Sequence, residues 1–283
     1  MKRALPIALP LLLSVLILGA PVGNGGAAPN IDIDAGAPAA PTDPIGSDMV
    51  LIHGLGSDAT IWEQVLPRLQ LGFRVWTYEM PGHGRTPPIK DATIAAVAAH
   101  LGQFLADEGI RTPVLVGHGF GGMVAMTYAF DHPQDVRRLV MIDAAPRQTA
   151  TREMKAQVAD QLSRNYDAYL ADYFGLLSRE EAISARIVDR ALRTEQITFT
   201  QLLLNSFDFD LTDELNGHDI PILVIGSDSL LPDPNRALEF LDGYGYSGAR
   251  TISFKTMPGV GHFVMLEEPD YTASVIAAFA LQK

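Results

Sequence analysis

The sequence predicts an α/β protein whose mostly parallel sheet carries helices on both faces and a helical cap insertion. Three observations lead there. Short continuous apolar runs alternate with helical stretches from residue 49 to the end of the chain. One of these runs passes straight into a Gly-rich turn at residues 117–122 and from there into a helix. Residues 147–219 break the alternation, being rich in Ala, Leu, Arg and Glu with few β-branched runs. Strands that are apolar throughout are buried on both faces, and a sheet of that kind needs helical crossovers to cover it.

The elements follow in order. Residues 49–53 form the first apolar run, then a Gly turn, then a helical stretch at 60–69. A second strand at 73–78 precedes an Ala-rich helix at 93–108. The strand at 113–116 runs into the Gly-rich turn, and a helix follows at 123–130. A strand at 139–143 ends where the cap begins. Beyond the cap come strands at 221–225 and 249–254, and a closing helix at 272–281. Ligands of such sheets sit outside the carboxyl ends of the strands, so chemistry is expected in the loops just after them.

The first thirty residues differ from the rest. Lys2 and Arg3 precede an apolar run at 5–18, and small residues continue through Ala28. That is the order of a secretory signal. The run is shorter than the roughly 20 residues a membrane helix needs, and Pro6 and Pro10 interrupt it. Residues 1–28 are therefore expected to be a signal peptide cleaved near Ala27 or Ala28, with an uncleaved anchor as the alternative. The protein is expected to be exported, periplasmic or secreted. Residues 29–47, rich in Pro, Ala, Gly and Asp, read as a flexible linker. The folded domain is expected over 48–283, with no internal repeat.

Composition removes several classes. The chain has 283 residues and no cysteine, which excludes disulfides, Cys-zinc sites, iron–sulfur clusters, a thiol nucleophile and a lipoprotein anchor. The net charge of -12 argues against nucleic acid and against anionic membranes as partners. The histidines fall in separate loops without metal-ligand spacing, and no cofactor motif is visible, so no metal and no cofactor are expected.

Four segments carry a resemblance. The first is His53-Gly54-Leu55-Gly56, after a strand. The second is Glu79-Met80-Pro81-Gly82-His83-Gly84-Arg85-Thr86, similar to an Asp-x-Pro-Gly-x-Gly-x-Ser loop. The third is Val116-Gly117-His118-Gly119-Phe120-Gly121-Gly122, and the fourth is Pro258-Gly259-Val260-Gly261-His262-Phe263. In this order, with a cap between the third and fourth, they resemble the α/β-hydrolase family over residues 48–283. The family's first two antiparallel strands are hard to find, and residues 31–33 are the only candidate.

The resemblance implies roles. The third segment is similar to the nucleophile elbow, Gly-x-Nuc-x-Gly, a strained strand-to-helix turn. It implies that the N–H groups of Phe120 and Leu55 form the oxyanion hole and that His262 is the general base. The position of the nucleophile is Gly119, which has no side chain with which to form a covalent intermediate. Three origins stand side by side: an introduced substitution, a natural loss giving a pseudoenzyme, or an enzyme that uses water or another group. The acid is expected at Asp228, after the strand at 221–225, with Asp143 as the alternative. His53 is expected to shape the oxyanion loop, His118 to flank the elbow, and His83 to pack near the site. Tyr166, Tyr169 and Tyr173 share one helical face of the cap. They either pack it against the domain or line the pocket, as cap tyrosines of epoxide hydrolases do.

The expected function is that of a serine-esterase-type protein for small apolar esters. With Gly119 at the nucleophile position, activity is expected to be weak or undetectable. The alternatives are a non-catalytic protein that binds a small molecule, an epoxide hydrolase or dehalogenase relative that has lost its Asp nucleophile, and cofactor-free chemistry in which His262 activates water or abstracts a proton.

Overall fold

The computed structural model describes residues 47–148 and 150–282. The expected signal peptide, the candidate strand at 31–33 and all of the expected linker but Ser47 lie outside these residues. Ser47 itself opens the first strand.

Six strands form one sheet: β1 (Ser47–Ile52), β2 (Phe73–Tyr78), β3 (Val114–His118), β4 (Arg138–Ile142), β5 (Ile222–Ser227) and β6 (Ile252–Met257). Their order is β2-β1-β3-β4-β5-β6, and every neighbouring pair is parallel. Side chains of a strand alternate between the faces, and both faces are apolar. Met49, Leu51, Val116 and Val140 join one core, while Val50, Ile52, Leu115 and Leu139 join the other.

The helices are α1 (Leu66–Leu69), α2 (Ile94–Asp107), α3 (Phe120–Asp131), α4 (Arg152–Arg164), α5 (Tyr166–Phe174), α6 (Glu181–Arg193), α7 (Gln196–Ser206), α8 (Thr212–Leu215), α9 (Ala237–Gly243), α10 (Val264–Glu267) and α11 (Pro269–Ala280). Helices α4 to α8 all lie between β4 and β5 and make up the cap. Local chemistry sets their starts. The hydroxyl of Thr151 accepts from the Met154 N–H at α4, and the Asn165 side chain accepts from the Ala168 N–H at α5.

Several element bounds depart from the sequence expectation, three of them near the site loops or at a turn. The helix expected at 60–69 is a 3-10 turn at Ala59–Trp62 followed by α1, in which Pro67 occupies the first turn. Proline has no N–H to give to a preceding carbonyl, so it fits a helix start and breaks a longer one. The last strand begins at Ile252 rather than residue 249, because Ala249 closes a 3-10 turn at Tyr246–Gly248. The elbow helix starts at Phe120, three residues earlier than expected, directly behind Gly119.

Among the described residues no helix is long and apolar enough to cross a membrane. Nor do three or more His, Asp or Glu side chains among them gather as metal ligands.

Candidate active site

Strand β3 delivers Gly119 at φ 50° and ψ -117°, and α3 starts at the next residue. This left-handed turn is where a glycine is least strained. Two flanking glycines permit it. A Cβ on Gly117 would come 2.5 Å from the Gly121 carbonyl oxygen, and one on Gly121 would come 2.4 Å from the His53 carbonyl oxygen. The helix therefore starts in contact with the backbone that ends β1.

His262 sits in the loop after β6. Its Nδ1 lies 3.0 Å from Oδ2 of Asp143. A carboxylate only accepts, so Nδ1 carries the proton and Nε2 presents a lone pair. That lone pair faces the elbow: a Cβ placed on Gly119 would lie 3.1 Å from Nε2. The His262 N–H donates to the Leu177 carbonyl of the cap at 2.8 Å.

Asp143 follows β4 and is 2% exposed. It holds φ 44°, a conformation few non-glycine residues adopt outside Asn and Asp. Ser227 at the end of β5 secures its carboxylate twice. The Ser227 N–H donates to Oδ1 at 2.7 Å, and the Ser227 hydroxyl donates to Oδ2. With His262, the buried charge has three donors, as a buried carboxylate requires.

Asp228, placed first as the acid by the sequence, points elsewhere, and this expectation is corrected. Its carboxylate accepts from the Gly259 N–H at 3.1 Å and pairs with Arg179 at 2.9 Å. It makes no hydrogen bond to His262 among the described residues. The reason is the reach of two loops. Asp143, behind β4, comes in beneath the histidine, whereas Asp228 braces the turn at Gly259.

The other histidines build the walls. The Met80 N–H donates to His53 Nε2 at 3.1 Å, so the proton lies on Nδ1, which donates to the Gly54 carbonyl at 2.8 Å. The Gly56 N–H donates to His83 Nε2 at 3.2 Å, and His83 Nδ1 donates to the Pro81 carbonyl at 2.9 Å. Two loops are thus locked together through two neutral rings 5.2 Å apart. Burial pushes His53 down to about 4 and, together with the neighbouring His53, pushes His83 down to about 3. His118 donates from Nε2 to the His262 carbonyl at 3.0 Å, and its ring lies 4.4 Å from the His262 ring. Burial holds it well below the ordinary histidine value.

These residues converge on a cavity of about 100 Å³. Gly119, His262 and Asp143 form part of its floor, along with Leu55 and Phe120. The N–H groups of Leu55 and Phe120 have no acceptor among the described residues. The cap supplies an apolar roof that includes Phe174, Leu177, Phe199, Leu203 and Phe207.

Of the three cap tyrosines only Tyr173 lines the cavity. Tyr166 packs edge-on to Phe199 and Tyr169 stacks on Tyr173, and the hydroxyls of Tyr166 and Tyr169 are buried without a partner among the described residues. The pocket reading of those two is corrected. Seven helical residues rise about 10 Å, so a shared face does not mean a shared pocket. Burial pushes the Tyr173 phenol up to about 12, so at neutral pH it stays a protonated donor.

The sequence reading missed Ser227, Leu177 and Glu267. Glu267 accepts from the Gly261 N–H at 2.9 Å and from the Ser178 hydroxyl at 2.6 Å, which ties the histidine loop to the cap. Its one sequence signal is an acid six residues beyond Gly261.

A parallel sheet, a Gly-flanked elbow and a His–Asp pair at the carboxyl ends of the strands define an α/β-hydrolase-type site. The sequence model of the alpha/beta hydrolase family matches residues 49–275, and the chain belongs to that family. It is 26% identical over 251 residues to the pimeloyl-[acyl-carrier protein] methyl ester esterase of Yersinia enterocolitica, covering 83% of this chain and 93% of the relative. With the same esterase of Vibrio cholerae it shares 28% over 232 residues, covering 75% of this chain and 89% of the relative. Among solved structures it is similar to a bromoperoxidase from Bacillus anthracis (TM-score 0.75, 19% identity, 84% of this chain and 92% of that one). It is also similar to an enol-lactonase from Burkholderia xenovorans LB400 (TM-score 0.74, 20% identity, 84% of this chain and 93% of that one). At such identities the structural likeness speaks for the fold alone.

Proposed function

We propose that this is an exported member of the family with an esterase-type site for small apolar carboxylic esters. The observation that carries the reading is the His262–Asp143 pair, aimed at residue 119 beside two unpartnered N–H groups. The roof of phenylalanines and leucines favours an apolar acyl or alkyl group. The curated relatives, named as methyl ester esterases, support the ester class. Export rests on the basic start and apolar run of the first thirty residues.

In this reading the Leu55 and Phe120 N–H groups hold the carbonyl oxygen as it gains charge. His262 serves as base, and Asp143 orients its ring. Gly119 removes the covalent step. Site geometry and binding that remain after loss of a triad member are worth roughly 10³–10⁴-fold over water, so ester hydrolysis is weak in the protein as it stands.

Short p-nitrophenyl esters and a Gly119→Ser variant test this. A gain of about 10²-fold or more, equivalent to about 2.7 kcal/mol of barrier, is expected. No turnover in either the unaltered chain or a folded variant would leave the protein as a binder of apolar small molecules.

A second reading has one observation in its favour. The carboxylate beside His262 follows β4, where haloalkane dehalogenases place their acid. An Asp nucleophile lost at 119 would fit that arrangement. Activity of Gly119→Asp on an epoxide or a haloalkane, with Gly119→Ser inert, would select it.

A further inference from the structure

The point where a side chain at residue 119 would begin faces the His262 ring. Apart from chain neighbours, a Cβ there meets only Nε2 of His262, at 3.1 Å, and Cε1, at 3.4 Å, within 4 Å. Nε2 presents its lone pair to that point, because Nδ1 keeps its proton and donates a hydrogen bond to Asp143. The backbone keeps the tight turn at φ 50° and ψ -117°, so the Phe120 N–H stays next to the same space. The cavity of about 100 Å³ exceeds the roughly 10–15 Å³ that one water requires.

We infer that the chain hydrolyses its ester in a single displacement, with a water molecule in the place of the missing side chain and His262 as its base. This rests on the ester reading above and replaces the two-step covalent route with one step. His262 Nε2 takes a proton from the water as its oxygen bonds to the ester carbonyl carbon. The carbonyl oxygen becomes an oxyanion held by the Leu55 and Phe120 N–H groups. The tetrahedral species then collapses, the C–O bond to the alcohol breaks, and the imidazolium returns the proton to the departing oxygen. One water is consumed, and one carboxylic acid and one alcohol leave. No bond to the protein forms at any stage.

Two features set this apart from loss of function. The base and its orienter are both held in hydrogen-bonded positions, with Asp143 clamped by Ser227 and His262 clamped by Leu177. In addition, the cap leaves the space beside Nε2 open. General-base assistance of this kind is worth about 10²–10⁴-fold, so the activity should be slow yet wholly dependent on His262.

The experiment compares four forms of the purified chain on p-nitrophenyl butyrate: unaltered, Gly119→Ala, Gly119→Ser and His262→Ala, with unfolding midpoints recorded for each. His262→Gln substitutes if His262→Ala does not fold. The unaltered chain is expected to exceed the His262 variant by about 10²-fold or more. Its progress curve should be linear from the first turnover, and its intact mass unchanged during turnover. Gly119→Ala sets a methyl in the proposed water position and should fall to the level of the His262 variant. Gly119→Ser should show an initial burst and a mass increase of one butyryl group.

If the unaltered chain is no faster than the His262 variant while Gly119→Ser is active, the single-displacement inference is overturned and the ester reading survives. If neither the unaltered chain nor Gly119→Ser turns over, the ester reading itself fails. An acylated unaltered chain, or full activity in Gly119→Ala, also overturns the inference.

Discussion

His262 and Asp143 are 119 positions apart in sequence and meet through a 3.0 Å hydrogen bond between Nδ1 and Oδ2. The contact joins the loop after β6 to the loop after β4, passing over the end of β5 that lies between them in the sheet. The end of β5 contributes Ser227, whose N–H and hydroxyl fix the carboxylate. Three adjacent strand ends thus hold one proton on one nitrogen.

The pair separates the two carboxylates by role. In the Gly119→Ser background, Asp143→Asn should lower kcat/KM for p-nitrophenyl esters by roughly 10²–10⁴-fold, since an amide no longer enforces the tautomer. Asp228→Asn discharges a partly exposed pair with Arg179 and keeps an oxygen for the Gly259 N–H, so its cost should stay within about 1 kcal/mol. Steady-state kinetics of the two variants checks this, and equal losses would contradict the assignment.

The elbow glycines should behave unequally. Gly121→Ala sets a methyl 2.4 Å from the His53 carbonyl oxygen and 2.5 Å from that of Ile52, both backbone atoms. Destabilisation of about 1–3 kcal/mol or more is expected. Gly119→Ala meets only a side chain at 3.1 Å and should cost about 1–3 kcal/mol of backbone strain at most. Urea unfolding midpoints of the two variants rank them.

Acid should weaken the fold before it protonates the buried rings. An unfolded chain takes up protons on His53 and His83 near 6.5, whereas in the folded protein they do so only at about 4 and about 3. Between those values the unfolded state holds more protons, so stability is full above about 6.5 and falls as pH drops towards 4. Each unit of difference is worth about 1.4 kcal/mol, and the two rings together amount to several kcal/mol. Urea midpoints at pH 7.5, 6 and 5 should decline in that order. A flat profile would contradict the neutral-ring assignment.

The roof should set both stability and substrate size. Phe199 is fully buried and reaches the cavity. Phe199→Ala should destabilise by about 3–5 kcal/mol. In the Gly119→Ser background it should shift preference towards esters with longer or branched acyl groups. Comparing acetyl with octanoyl p-nitrophenyl esters reads the shift, with thermal unfolding read alongside.

Much of this was legible in the sequence, for identifiable reasons. The inner strands β3 and β5 are buried at every position, which makes their apolar runs legible, whereas the edge strand β2 is legible even with Arg74 exposed inside it. The elbow could be read because its glycines answer to backbone contacts at fixed spacing. The acid could not be ranked, because Asp143 and Asp228 both follow strands and only the three-dimensional path of the loops decides which one meets His262. Nothing in the sequence marks Ser227, although its hydroxyl and N–H hold the Asp143 carboxylate. The three tyrosines shared a helical face as periodicity required, yet distance along the helix axis kept two of them from the cavity.

The hydrogen bond from the His262 N–H to the Leu177 carbonyl joins backbone to backbone. Such a tether survives exchange of the side chain at residue 177, and neighbouring roof positions such as 174 and 199 are free of it altogether. Lineages of this scaffold can therefore explore new ligands by replacing roof side chains while the histidine keeps its alignment. Diversification of specificity is uncoupled from maintenance of the chemistry, and a deletion near 177 is the kind of change that would couple them again.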